Sequence, residues 1–574
     1  MISRIAQLTN RTVLLFLLFL TCTASSALAA EGGNLVGGLS PEEALRAGER
    51  LYRTGLLPSG KPVTAIIRGD KRITGEFASC DNCHTRSGLG AVVEEMLAPP
   101  ISGPTLYAPL KYVQQIPGPI ENRTMFEIMG STRPAYTDKT LADALLKGVA
   151  PSGRPLIAFM PRYLMNADEV EVMIHYLKNL SAKHSPGVAD KEIRFGVILS
   201  EKASQKERDA LLQPLEAFFK VDWNVRVVDM QANRSTRWRD DKPAGPLFRK
   251  VTLDIWELKG GPEEWRSQLD AYNAAKPVFA LLGGLVPGSW EPVHKFCEDN
   301  AIPCILPQTE LPVLSSTDWY TLYFSKGYYQ EGAVAAKYLG KGAGSPAKTR
   351  VVQVFRGNSE GNALARGFDD SWKKLGGRPA AQRIVTPSEK TDKAFWKRLA
   401  LDHPGAVLLV WLGAEDLEGI EAVLEPGAKK KPSRLFVSAT LLDHTWGAIP
   451  DNLRNITCLT YPNRLPEDSL YPREIFNGWM KMKKLPVLDE EISSKVYLMT
   501  RMLALTLVDL GDEYYRDFLL DLLDIGKDQT STSVVYPLLR FAPGQRYVSG
   551  GCYLVTLTKG DNPRLVKQGE WVDL

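Results

Sequence analysis

Apolar residues recur along this chain with two different periods, and the change falls near residue 190. Before it, the spacing is helical. Ser40-Pro41-Glu42-Glu43 reads as a helix start, with serine as cap, proline in the first turn and Glu43 placed to close a capping box. Ala44, Ala47, Gly48, Leu51 and Tyr52 then mark one face. Asn166 with Glu169 opens a second helix, whose Val170, Met173, Ile174 and Leu177 form an apolar stripe. From residue 192 onward, short strand-like runs alternate with amphipathic stretches. The strand candidates are Ile193 to Leu199, Trp223 to Val228, Pro277 to Leu282, Ile302 to Leu306, Val351 to Phe355, Ala406 to Leu412 and Leu435 to Ser438. Helices are expected at Trp290 to Asn300, Glu360 to Leu375 and Ala414 to Leu424. This alternation predicts parallel α/β layers, and two such series in succession predict two similar lobes.

The ends and the boundary refine this picture. Arg4 and Arg11 precede the apolar run Val13 to Leu20, and small residues ending Ala27-Leu28-Ala29-Ala30 follow. That pattern predicts a cleaved signal peptide over residues 1–30 and a periplasmic address. The run is too short to span a bilayer, no later segment is apolar enough, and Leu20-Thr21 before Cys22 makes a poor lipidation site. A polar segment at 182–191, containing Pro186-Gly187, is expected to link a first unit (31–181) to a second (192–574). A chain of 574 residues exceeds what one core serves. Its net charge of +4 falls by two once Arg4 and Arg11 are removed, which gives no argument for nucleic acid or anionic lipid as partner.

The candidate chemistry lies in the first unit. Cys80-Asp81-Asn82-Cys83-His84 is the C-x-x-C-H pattern of covalent haem attachment, in which two thioethers fix the group and the histidine meets the iron. A zinc site would need a second ligand pair at suitable spacing, which the other cysteines do not supply. One haem c, bound through Cys80 and Cys83 with His84 as an axial ligand, is the expected cofactor.

With Gly48-Glu49-Arg50-Leu51-Tyr52, Cys80 to His84, Gly103-Pro104-Thr105-Leu106 and Met160-Pro161 in view, residues 39–181 resemble a class I cytochrome c domain. The resemblance implies an all-α fold with Met160 as the second axial ligand. It also implies a carbonyl from Pro104 on His84 Nδ1. A His/Met pair suits electron transfer. Residues Leu56 to Ser79 are longer than the family's usual spacer before the motif.

Residues 192–574 resemble the type I periplasmic binding proteins of the branched-chain amino-acid-binding kind. The pieces are Arg194 to Val197, Leu282-Gly283-Gly284 with Ser289, Tyr323 to Gly327 with Gln330, and Gly361 to Phe368. The resemblance implies two lobes closing on a small ligand: about 192–318 with 452–538, and about 319–451 with 539–574. Gly283, Gly284, Ser289 and Trp290 are candidate ligand contacts, because glycines after a strand let the backbone approach and a helix N-terminus suits a carboxylate. Arg356, Trp411 and Asp416 are candidates on the opposite lobe. Ser359-Glu360-Gly361 stands where the family usually has a Tyr-Gly pair.

Cys297, Cys304, Cys458 and Cys552 are expected to form disulfides, as an even number in an exported chain suggests; of the three connectivities, a local Cys297–Cys304 bridge is feasible and would pair Cys458 with Cys552. Together these readings describe an electron carrier rather than an enzyme, a monohaem c-type cytochrome fused to a binding module for an amino-acid or carboxylate-like solute. Its expected partners are a periplasmic redox protein, the small molecule and an ABC permease. The competing expectation is a transport or sensory binding protein whose haem is structural or a redox gauge.

Overall fold

The computed structural model describes residues 35–93, 96–110, 133–224, 249–342, 345–425, 431–525, 533–541 and 544–574. The expected signal peptide and most of the expected strand Trp223 to Val228 lie outside them, and the chain up to Trp223 is helical. Two compact units are present, Met1–Lys183 and His184–Leu574.

In the first unit, α1 (Pro41–Thr54) starts with the expected Ser40–Glu43 capping box and ends on Gly55 in the left-handed region. The chain continues through β1 (Thr64–Ile67), β2 (Lys71–Thr74), α2 (Asp81–His84), the pair β3 (Ala91–Val93) and β4 (Met96–Ala98), α3 (Gly103–Leu106), α4 (Asp138–Lys147), β5 (Arg162–Tyr163) and α5 (Ala167–Asn179). α5 carries the capping box of Asn166 and Glu169. The unit is not all-α as expected. The long spacer Leu56 to Ser79 folds as a hairpin, and β5 adds to it to give the antiparallel order β2-β1-β5. Alternation such as Ala65 inward and its neighbours outward was too short to read as a strand. The core joins Leu51 and Tyr52 of α1 to Met173 and Leu177 of α5, with Ala65, Cys80, Leu106 and Tyr163.

Gly48 sets how closely the two end helices approach. A Cβ there would stand 2.4 Å from Tyr176 Cβ and 3.0 Å from the Val172 carbonyl.

The second unit runs β6 (Glu192–Ser200), α6 (Gln205–Ala217), β7 (Lys250–Leu258), α7 (Pro262–Ala275), β8 (Ala280–Leu282), α8 (Glu291–Asp299), β9 (Cys304–Ile305), β10 (Thr321–Leu322) and α9 (Tyr328–Gly342). It goes on through β11 (Val351–Arg356), α10 (Ser359–Lys374), β12 (Ala381–Val385), α11 (Lys393–Asp402), β13 (Val407–Trp411), β14 (Arg434–Ser438), α12 (Ala439–Leu442) and β15 (Thr457–Tyr461). Then come α13 (Leu470–Met482), α14 (Glu490–Leu510), α15 (Arg516–Ile525), β16 (Gly551–Leu557), β17 (Leu565–Lys567) and β18 (Val572–Asp573). The expected helix Ala414 to Leu424 is two short 3-10 turns instead.

One sheet has the order β10-β9-β8-β6-β7 and is parallel throughout. The other runs β12-β11-β13-β14-β15-β16-β17, with β18 on β16, and turns antiparallel only from β16 onward. The second sheet is covered on both faces. Leu408 and Val410 enter one core, while Val407, Leu409 and Trp411 enter the other. Such burial explains the continuous apolar run of β13.

The expected lobe boundaries shift. β10 belongs to the first sheet, so the first crossing follows Leu322. β15 pairs with β14, as in Leu435↔Thr457, and therefore sits in the second lobe rather than the first. Residues 539–541 and 544–548 belong to the first lobe, where Leu539 and Val548 join the core and Val548 donates its backbone N–H to the Tyr323 carbonyl. Most of the expected linker is also built in. Ser185 donates its N–H to Tyr514, and the Gly187 carbonyl accepts from Arg194.

Gly48→Ala should destabilise the first unit by about 1–3 kcal/mol through overpacking at the α1–α5 crossing. All twelve tryptophans lie beyond residue 183. The denaturation midpoint followed by tryptophan fluorescence should therefore stay in place, while the circular-dichroism signal of the first unit moves to lower denaturant.

Candidate functional site

In the first unit, α1 holds the C-x-x-C-H turn. The Tyr52 carbonyl accepts from Cys80 N at 2.8 Å, and Tyr52 Oη donates to the Thr85 carbonyl at 2.6 Å. Cys80 is buried and Cys83 exposed. Burial pushes the Cys80 thiol up to about 12, against the hydrogen bond with Tyr163. His84 is buried, and its Nδ1 lies 2.8 Å from the carbonyl of Pro99. That bond commits Nδ1 as the donor and leaves Nε2 as the nitrogen able to meet a metal.

The carbonyl expected from Pro104 is thus supplied by Pro99. The chain after His84 folds back, with Gly90 N–H on the His84 carbonyl and Ile101 N–H on the Gly88 carbonyl, which brings Pro99 over the ring. Pro104 is exposed in the first turn of α3. Met160 and Met165 are both half-buried against the core that contains Cys80 and Tyr163.

The second unit contains a cavity of about 210 Å³. It lies where the carboxyl ends of the strands of both lobes meet, the place where α/β sheets offer loops and helix starts. Glu310 reaches it from the loop after β9, and Ser325 from the first crossing. Gly327, at φ +52, allows that crossing to pass the Glu310 carbonyl, which a Cβ would meet at 2.0 Å. Glu491 enters from the first turn of α14, which Asp489 caps. One helical turn on, Lys495 Nζ stands 2.6 Å from Glu491 and 3.4 Å from Glu310. Burial opposes the Lys495 charge, but Glu491, Tyr536 and Glu310 overcome it and hold the ammonium well above its usual range. Burial pushes the Glu310 carboxyl up, with Lys495 working against it.

The facing wall comes from the loop after β14. Asp443 and His444 occupy the left-handed region at φ 41 and 63 and line the cavity with Trp446. Trp446 stands edge-on to both His444 and Tyr461. Tyr536, stacked on Phe324 at 5.7 Å, closes the first-lobe side.

None of Gly283, Gly284, Ser289, Trp290, Arg356, Trp411 and Asp416 is among the residues lining this cavity. Gly284, at φ +118, makes room for the Trp290 ring, 2.7 Å from where a Cβ would be, and Trp290 is itself core. Ser289 Oγ accepts from Glu291 N–H in a local turn. Arg356 Nε donates to Asp416 at 2.7 Å, and Thr391 bonds the same carboxylate, so both charges are spent within the lobe. Trp411 is buried, with Nε1 on Gln353. These residues perform packing and pairing. The lining residues gave weaker signals: the Glu491–Lys495 spacing of i,i+4, and a polar loop carrying Trp446 after a predicted strand.

All four cysteines of this unit are free thiols here. Cys297 and Cys304 are hydrogen-bonded neighbours in the first-lobe core. Cys458 and Cys552 do not face one another. With Leu459 opposite Val555 and Tyr461 opposite Tyr553, they stand four residues out of register. That is about 13 Å along the strands, beyond the roughly 7 Å that a disulfide spans between Cα atoms.

Residues 249–521 match the family model described as periplasmic binding protein. The second unit is an α/β domain that over residues 249–521 is similar to that family. None of the curated proteins matches this chain. Among solved structures, a leucine-binding protein from Thermotoga maritima is similar at 12% identity, covering 65% of this chain and 97% of that one, with a TM-score of 0.43. An ABC-transporter solute-binding protein from Rhodopseudomonas palustris, in complex with p-hydroxybenzoic acid, is similar at 15% identity, covering 67% and 97%, with a TM-score of 0.44. A branched-chain amino acid ABC transporter protein from Thermus thermophilus with bound valine is similar at 10% identity, covering 67% and 97%, with a TM-score of 0.45.

Behind the cavity wall, Glu331 of α9 is buried, and its Oε2 accepts from Ala439 N–H at 3.1 Å and Thr460 Oγ1 at 2.8 Å. Burial raises its carboxyl to about 7, against hydrogen bonds from Thr440, Thr460 and Ser438. The folded protein binds this proton more tightly than the unfolded chain does. The group's contribution is therefore complete below about pH 4.5 and is lost as pH rises through about 7. Between pH 5 and 8 the second unit should lose up to about 3 kcal/mol from Glu331. Denaturation midpoints of Glu331→Gln across that range should be flatter than those of the parent.

Proposed function

We propose that this protein is an exported solute-binding protein whose α/β domain takes up a small organic molecule between its lobes and presents it to an ABC permease. The observation that carries this is the cavity at the carboxyl ends of the parallel strands of two sheets, lined from both lobes. Three crossings, at residues 323–327, 461–464 and 548–551, join the lobes beside it. They can absorb an opening and closing motion with both cores left intact. No helix among the described residues is long and apolar enough to cross a membrane.

A thermal-shift screen of the whole protein against amino acids, carboxylates, amines and alcohols tests it. A true solute at a hundred times its Kd should stabilise the fold by about 2.7 kcal/mol. A well-folded protein that responds to no compound of any class would overturn the reading.

The first unit, in this proposal, carries one covalent haem c as a structural element or redox gauge. Cys80 and Cys83 would hold it and His84 Nε2 would face its iron. The residues fit the group. The two thiols share one helical turn, and the Pro99 carbonyl already fixes the imidazole in the tautomer that metal ligation needs. Such a group supplies one-electron chemistry when bound. Met160 is the proposed sixth ligand, so Met160→Ala should remove the weak far-red absorption band of ferric methionine ligation and lower the reduction potential. An unchanged spectrum would transfer the role to Met165.

A further inference from the structure

The charge of the cavity bears on what it holds, an argument that rests on the solute-binding reading above. Three carboxylates and one histidine, His444, are its ionisable lining. Glu310 and Glu491 come from the first lobe and Asp443 from the second, and among the described residues no lysine or arginine lines it. Lys495, one helical turn beyond Glu491, is already shared between Glu491 at 2.6 Å and Glu310 at 3.4 Å. Three carboxylates therefore face one spent cation. An anionic solute would meet those carboxylates with no lysine or arginine in the lining to offset them, at a cost of several kcal/mol for like charges brought together. Three aromatic rings complete the lining: Trp446, Tyr461 and Tyr536. Ring faces attract cations and pack against apolar groups equally well.

We propose that the solute is a small organic cation, a primary amine or quaternary ammonium with an apolar or aromatic body. Its charged head lies toward Glu310, Glu491 and Asp443, and its body lies against the rings. The charge class thus departs from the carboxylate expected from the sequence. The departure has a physical origin. In the expected anion site Gly284 packs on Trp290 and Ser289 Oγ accepts from Glu291 N–H, whereas the acidic groups come from two loops and the first turn of α14.

The test is calorimetric titration of the whole protein near pH 7.5 with phenethylamine, choline, phenylalanine and benzoate. Phenethylamine or choline should bind and benzoate should not. Asp443 is exposed and in the left-handed region, where asparagine is well tolerated. Asp443→Asn should therefore fold normally yet weaken amine binding about tenfold, with a comparable or larger loss in Glu491→Gln. Affinity that stays unchanged in both variants would overturn the proposal. So would benzoate binding more tightly than phenethylamine, or phenylalanine binding where phenethylamine does not. In those cases the solute-binding reading stands. Silence toward these four and toward the broader screen would overturn both readings.

Discussion

A parallel sheet delivers all its strand-to-helix loops, and with them the helix starts, to one edge, and this constraint governs the second unit. Each lobe orders its strands so that every β-to-α connection opens at the carboxyl end. The chain crosses between lobes three times beside those ends. As a result, residues more than 200 positions apart in sequence, Glu310 and Tyr536 among them, line one cavity. Gly327 and the Tyr323–Val548 hydrogen bond hold the crossings close together. The lobes supply rigid walls, and the crossings supply the freedom to move.

Buried charge is the second organising force. Removing one partner from a buried pair costs about 3–5 kcal/mol, because the remaining charge is stranded away from water. Lys495 is held by two carboxylates, and Arg516 instead donates to the carbonyls of Val278, Phe279 and Ala301, where strand and helix ends converge. The first arrangement consumes the ammonium of Lys495, and no lysine or arginine is among the residues lining the cavity. It leaves the lining acidic, so the same pair that stabilises the wall sets the electrostatic character of the site.

The first unit obeys a different logic. Here two end helices cross at Gly48, and their contact fixes Tyr52, whose carbonyl and hydroxyl clamp both sides of the C-x-x-C-H turn. His84 is then set by a single backbone carbonyl. A short sheet built from the long spacer covers the remaining side through Ala65 and Tyr163. Fold and candidate cofactor site are thus one construction, because the residues that pack the helices also orient the imidazole.

The sequence by itself determined what depends on near neighbours. Both capping boxes, the helix faces around Leu51 and Met173, the C-x-x-C-H turn and the apolar strands Val351 to Phe355 and Ala406 to Leu412 follow from local spacing and short-range hydrogen bonding. Tertiary structure alone decided what depends on which distant backbones meet. Pro99 rather than Pro104 reaches His84 because a loop folds back. β15 joins the second lobe because β14 and β16 accept it, and that register also keeps Cys458 from Cys552. Arg356, Trp411 and Asp416 looked available for a ligand, yet each is satisfied by a partner that only folding brings near, and Trp290 is taken up in the first-lobe core. Glu310 and Asp443 carried no motif and Glu491 only its i,i+4 spacing to Lys495, since a cleft assembled from separate loops and a helix turn has no linear period. Its chemistry arises from juxtaposition across three chain crossings, a relation that residue spacing does not encode.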